Sequence, residues 1–203
     1  MKKEILVLLL LTVLSSCNNK QMEKPNNEMV SEKNVNEQNK NVALTIQIID
    51  ELSDEDVEGA IYENIVETFK GDFDNEFEHI KKLSTGQQMF WATWILEAEV
   101  NNGGFNQYYY NSDGEFAEMA LNGLKIIKAN KFADLVSRAN SVYEKDKERL
   151  SAYDDGSMES FSKSYKDNPL NKFDDEFYDL EKKQNISKLR IKYIREHKSE
   201  FVN

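Results

Sequence analysis

From Asp50 onward the apolar residues of this chain recur three and four positions apart, and no alternating apolar and polar run lasts long enough for a strand. That period places apolar side chains on one stripe of an α-helix, so the expected fold is all-α, an irregular bundle of about five to seven helices. The first expected helix covers 54–70, with Val57, Ile61, Ile65 and Phe69 inward, a Ser53 cap, and an acidic first turn that suits the helix dipole. A second starts near Ser84 or Thr85 and ends near Asn101, turning Met89, Phe90, Trp91, Trp94, Ile95 and Ala98 toward the core. A third runs from Glu115 to Ala129 behind Ser112 or Asp113, and a fourth from Lys131 to Leu150. A polar loop, 153–171 with Pro169, then leads to a short helical turn at 173–180 and a last helix over 185–200, carrying Ile186, Leu189, Tyr193, Ile194 and His197.

The amino terminus follows a different logic. Lys2 and Lys3, an apolar run from Ile5 to Leu14, then Ser15, Ser16 and Cys17 form the charged, apolar and small-residue regions of a signal peptide, expected over 1–16. The apolar run makes a helix of about 15 Å, short of a hydrocarbon core of about 30 Å. The order Leu14, Ser15, Ser16, Cys17 also resembles the lipobox of bacterial lipoprotein precursors, whose cysteine is acylated and becomes the new amino terminus. The resemblance implies a membrane anchor at Cys17 and places the protein at the bacterial cell envelope. Cys17 is the only cysteine, so acylation leaves no disulfide and the core alone must hold the fold. Residues 17–44, rich in Asn, Lys, Glu and Gln, are expected to form a flexible tether with a mean reach of about 30 Å. Residues 45–203 remain as one helical domain.

Charge divides unevenly between these parts. The segment to Cys17 carries +1 and residues 18–44 carry none, so the domain holds −12 in a chain of net −11. Such a domain repels nucleic acid and anionic lipid, which leaves basic proteins or cations as partners. The acidic stretches are Asp50, Glu51, Asp54, Glu55, Asp56 and Glu58; then Asp72, Asp74, Glu76 and Glu78; then Asp174, Asp175, Glu176 and Asp179. They serve either as an interaction surface or as helix-start charges and solvated faces that keep the domain soluble.

Reactive constellations are incomplete. Asp54, Asp56, Glu58 and Gly59 imitate the first half of a calcium loop, but the position for its bidentate carboxylate is Ile65. Glu76 and His79 form one Glu-x-x-His pair where a di-iron bundle needs two, and His197 has Ile194 three residues before it. Glu97 and Glu99 point to different faces of a helix. The expectation is therefore no catalytic residue, no metal and no cofactor.

The most unusual stretch is residues 97–114. Asn101, Asn102, Gly103 and Gly104 read as a helix stop, after which a short helix carrying Phe105, Asn106, Gln107, Tyr108, Tyr109 and Tyr110 restarts. Together with the helix from Trp91 to Val100, Asn111, Ser112, Gly114, Ala120, Leu124, Arg138, Ala139, the acidic turn Asp174–Phe177 and the closing Tyr193, Ile194 and Phe201, this block resembles the DNA mimic protein family, specifically its C-terminal domain. The resemblance implies an all-helical fold, often a homodimer, and surface carboxylates standing in for DNA phosphates against the DNA-binding face of a protein. The candidate acidic surface on that reading is Asp54, Glu55, Asp56, Glu58, Asp72, Asp74, Asp174, Asp175 and Glu176. An alternative is a small-ligand or enzymatic site around the break, drawn from Trp94, Glu97, Asn101, Asn102, Gly103, Gly104, Phe105, Gln107 and Tyr108.

Overall fold

The computed structural model describes residues 43–153, 155 and 157–202; the signal segment, Cys17 and the tether as far as residue 42 lie outside the described residues. Leu44 is already buried against the core ahead of the first helix. Among the described residues there are nine α-helices and no strand: α1 (Ile46–Glu51), α2 (Asp54–Thr68), α3 (Glu76–Ile80), α4 (Thr85–Ser112), α5 (Ala117–Ile126), α6 (Asn130–Ser151), α7 (Met158–Ser164), α8 (Lys172–Glu181) and α9 (Ile186–Glu196). Single 3₁₀ turns lie at Phe73–Asn75 and Lys198–Glu200.

The helix starts follow capping chemistry. Ser53 Oγ accepts from Asp56 N at 3.2 Å, and Asn185 Oδ1 accepts from Lys188 N at 2.9 Å. Ser84 and Gln87 form a reciprocal capping box, with bonds of 3.1 and 3.2 Å, so two otherwise orphaned donors of α4 are satisfied at once. At α5 the expectation of a cap from Ser112 or Asp113 fails. Asp113 adopts a left-handed conformation (φ 49°) that closes α4, and α5 begins two residues later than expected, after Phe116 and without a side-chain cap.

α4 is the axis of the bundle, with α2, α5, α8 and α9 packed around it. Before the break it buries residues on every face, from Met89, Phe90 and Trp91 to Leu96, Glu99 and Val100, as a helix enclosed by others must. Beyond the break, Phe105 meets Phe173 and Phe177 edge-on at 6.1 and 5.9 Å, and Phe177 meets Phe132 at 5.3 Å. This aromatic knot ties α4 to α6 and α8. Each such ring, fully buried, contributes about 1.5–3 kcal/mol.

The stretch expected as a polar loop contains α7 and buries Ser164, Asn168 and Leu170. Two of those three buried side chains are polar, so no apolar period announces it.

Candidate functional site

The break in α4 is a filled polar knot built by distant elements. Gly104 lies at φ 72° and ψ −178°, a region essentially closed to residues with a Cβ. A Cβ there would sit 2.3 Å from Asp174 Oδ2, because Asp174 on α8 reaches in to accept from Phe105 N at 2.9 Å. A carboxylate from another helix thus caps the restarting half of α4. The carbonyls released by the first half are met by phenols: Tyr178 donates to Val100 O and Tyr165 to Gly103 O, both at 2.8 Å. Glu99, 4% exposed, is held from the second half by Gln107 Nε2 and Asn111 Nδ2, each 2.8 Å from Oε2. Burial pushes the Glu99 carboxyl above its ordinary range.

Deeper still, Asn106 Nδ2 donates to Ser164 Oγ at 2.8 Å, and Asn168 Nδ2 donates to Asn106 Oδ1 at 2.5 Å. Tyr109 donates to Asn140 at 2.6 Å and stacks on Tyr143 at 4.2 Å. Tyr108 is fully buried with its hydroxyl unpartnered, and that burial raises its pKa.

The nine residues proposed from sequence around this break do not converge on one cleft. Gly104, Phe105, Gln107 and Tyr108 are buried, Gly103 is half-buried, and Asn101 and Asn102 are exposed where the first half ends. Trp94 and Glu97 face elsewhere. Trp94 lies 4.6 Å from the Tyr62 ring of α2, while Glu97 accepts from Arg190 Nη2 of α9 at 2.8 Å. The amide of Gln107 and the carboxylate of Glu99 are engaged with each other, which is how a structural joint satisfies its polar groups.

Arg190 was not anticipated from the sequence. Its side chain is 1% exposed, with Nε on Glu58 Oε1 at 2.5 Å and Nη2 on Glu97. It also lies over the Phe90 ring at 5.6 Å. Burial works against its charge, but Glu97 and Glu58 outweigh it and hold the pKa above the ordinary arginine range. The signal available was register: Ile186, Arg190 and Ile194 share one four-residue stripe, so the arginine had to point inward. Near this pair Glu181 has its pKa raised to about 7, by burial first and then by the charge of Glu97.

The acidic residues separate into two kinds. Residues 50–80 contain twelve carboxylates and one base, Lys70, a net of −11, whereas residues 125–203 sum to +2. Within α2 no Lys or Arg accompanies Asp54, Glu55, Asp56, Glu58, Glu63 and Glu67. One edge of this segment is neutralised from the carboxyl-terminal helix and turn. Asp54 accepts from Arg195 at 2.8 Å, Glu58 pairs with Arg190, and Asp50 pairs with Lys198. The outer edge is not. Glu55, Glu63 and Glu67 are exposed and make no ion pair among the described residues.

They share one face with exposed Gly59, at spacings of about 12 and 6 Å along the axis. Asp56 is exposed and accepts from Ser53 Oγ at 2.6 Å. Asp72 is exposed and held by Asn75 and His79 at 3.0 and 3.1 Å, which lowers its pKa, with Asp74 exposed beside it. The third proposed stretch serves the fold instead. Asp174 is half-buried on the α4 break, its pKa raised by that burial, and Glu176 takes Arg138 in a two-bonded fork of 2.5 and 3.1 Å. Asp175, Glu176 and Asp179 of that stretch are exposed, and of these Asp175 makes no ion pair among the described residues.

No curated protein and no solved structure matches the chain. Residues 81–197 carry nineteen acids and eighteen bases, so the charge of the domain is concentrated ahead of them. That nearly neutral stretch, from the residues before α4 to the end of α9, matches the profile of the DMP19-like protein family, and the chain belongs to that family.

Proposed function

We propose that this protein is a non-enzymatic interaction module, carried to the bacterial envelope by an acylated Cys17, that binds a basic protein surface along the outer face of α2. The observation that carries this reading is the unopposed row of Glu55, Glu63 and Glu67 on a helix without a single base. With Asp54 and Glu58 paired to Arg195 and Arg190, α2 keeps Glu55, Asp56, Glu63 and Glu67 without a basic partner among the described residues, one charge per roughly 5.6 Å of helix against 3.4 Å per phosphate of one DNA strand. A surface that grips phosphates would find a sparser row of the same sign here. Membership of the DMP19-like family supports the same partner class, a protein whose own face binds DNA. The row lies on residues ahead of the matched 81–197, so on this reading partner choice rests on α2, outside the family-matched stretch. In the envelope such a module can neutralise a basic protein that arrives there.

The test is capture from an envelope fraction over a ladder of salt, with the wild type beside the triple variant Glu55→Gln, Glu63→Gln, Glu67→Gln. The expected result is a basic partner bound at low salt, released as salt rises, and missing from the triple variant. Recovery of the same partner by both proteins at every salt would refute the α2 assignment. Labelled palmitate entering the wild type but not Cys17→Ala checks the anchor separately.

A further inference from the structure

The seam between α2 and α4 carries aromatic surface where neither helix supplies a cation. Between Met89 and Asn101 the side chains of α4 that are not buried are Trp94, Glu97, Ala98 and Asn101, one stripe at three- and four-residue spacing. Half-buried Tyr62 of α2 lies against Trp94 at 4.6 Å and is backed by the buried Trp91, stacked on it at 5.3 Å. Elsewhere the chain places its own cations over rings: Lys81 over Phe77, Lys147 over Tyr143 and Arg149 over Tyr153. Over Tyr62 and Trp94 no lysine or arginine stands among the described residues. α2 and α4 contain no Lys or Arg, and Arg190, which enters the seam from α9, is 1% exposed and spent on Glu58 and Glu97.

The carboxylates beside the aromatic pair leave one acceptor open. Glu58, one turn before Tyr62, is fully used, since Arg190 and Ser187 take its two oxygens. Glu97, one turn beyond Trp94, gives only Oε2 to Arg190, and its Oε1 accepts no hydrogen bond among the described residues. Residues three apart on a helix have their Cβ atoms about 5–6 Å from each other, so that oxygen stands beside the indole. Glu55, two turns before Tyr62 on the same side of α2, is exposed and without an ion pair among the described residues. Indole attracts a cation more strongly than the other side-chain rings, and a planar guanidinium can stack on it while its N–H groups reach a carboxylate at the edge. We infer that Trp94 and Tyr62 seat an arginine side chain of a basic protein partner, its guanidinium on the Trp94 ring and one N–H donated to Glu97 Oε1. The inference rests on α2 as the face that meets this partner and adds what selects arginine there. The acidic row attracts any positive charge, whereas the more strongly hydrated ammonium of lysine gains less from an open indole.

The test is titration of the full-length chain at physiological salt with acetylated tetra-arginine and, separately, acetylated tetralysine, followed by the indole N–H resonances of its two tryptophans. Tetra-arginine should shift the Trp94 indole saturably and bind about tenfold more tightly than tetralysine. The Trp91 indole, bonded to Glu76 at 2.7 Å, should move less. Trp94→Leu should bind both peptides alike, and Trp94→Phe, which keeps a ring in the seam, should lose most of the preference. The triple variant Glu55→Gln, Glu63→Gln, Glu67→Gln should weaken both peptides and keep the preference for arginine; a triple variant that binds as wild type does refutes the α2 row and leaves the arginine seat standing. The seat is overturned if wild type binds the two peptides equally, if the Trp94 indole does not move, or if either Trp94 variant keeps the full preference.

Discussion

Two glycines separate a structural demand from a mere composition bias. Gly104→Ala forces a Cβ into a left-handed position and against Asp174, so the variant should lose about 2–4 kcal/mol, read as a fall in Tm. Gly59→Ala, on the open face of α2 with nothing within 4 Å, should instead gain about 0.5–1 kcal/mol. Equal effects at the two sites would contradict the geometry of the break.

Glu181 supplies a pH signature. Its folded pKa lies at about 7 against an ordinary 4.5, so the native state holds that proton more tightly than the unfolded chain. Stability from this group is therefore fully present below about pH 4.5 and is lost as pH rises through 7. Allowing for the solvent that screens a half-exposed carboxylate, the wild type should lose about 1–2 kcal/mol across that window that Glu181→Gln does not lose. Parallel denaturation curves from pH 4.5 to 7.5 would remove the assignment.

At this scale the sequence made the stop at Asn101–Gly104 legible, because glycine and asparagine report backbone conformation locally. It could not reveal that Asp174, Tyr165 and Tyr178 complete the stop. Those partners lie more than sixty residues away, and nothing in their own neighbourhoods marks them.

Among the elements, the long helices with apolar stripes were readable: α2, α6 and α9 begin within a residue of their expected starts. The restart after Gly104 was also readable. The short helices α1, α3 and α7 were not, since five to seven residues span too little of a helical period to distinguish it from chance. The family-matched α9 and the acidic α2 pack together, with Val57, Ile61 and Ile194 buried in the shared core and Glu58 paired with Arg190 at its edge.

Removing one member of that ion pair leaves charge uncompensated in a dry place. Arg190→Ala should therefore cost about 3–5 kcal/mol by chemical denaturation. Arg190→Met, which refills the volume, should cost less when Glu58→Gln and Glu97→Gln accompany it than when it stands alone. Should Arg190→Ala prove neutral, the guanidinium would not be holding α2 to α9.

For the molecule as a whole, the informative quantity is how charge is arranged. The bundle confines −11 to residues 50–80, neutralises one edge of that segment with Arg190, Arg195 and Lys198, and leaves the other edge facing solvent. The sequence displayed the acidic clusters but not this division, because which carboxylates are consumed depends on how α9 packs. It also gave the Asp174 stretch the same weight as α2, although folding commits Asp174 to capping the α4 break.

The outer face of α2 is the surface proposed to meet a basic partner. The direct measurement is an amide-shift map of the domain titrated with an oligolysine peptide at low salt. Shifts centred on residues 55–67, abolished by the Glu55, Glu63 and Glu67 triple substitution, are the predicted result; shifts centred on residues 125–203 or on the α4 break, unmoved by that substitution, would contradict it.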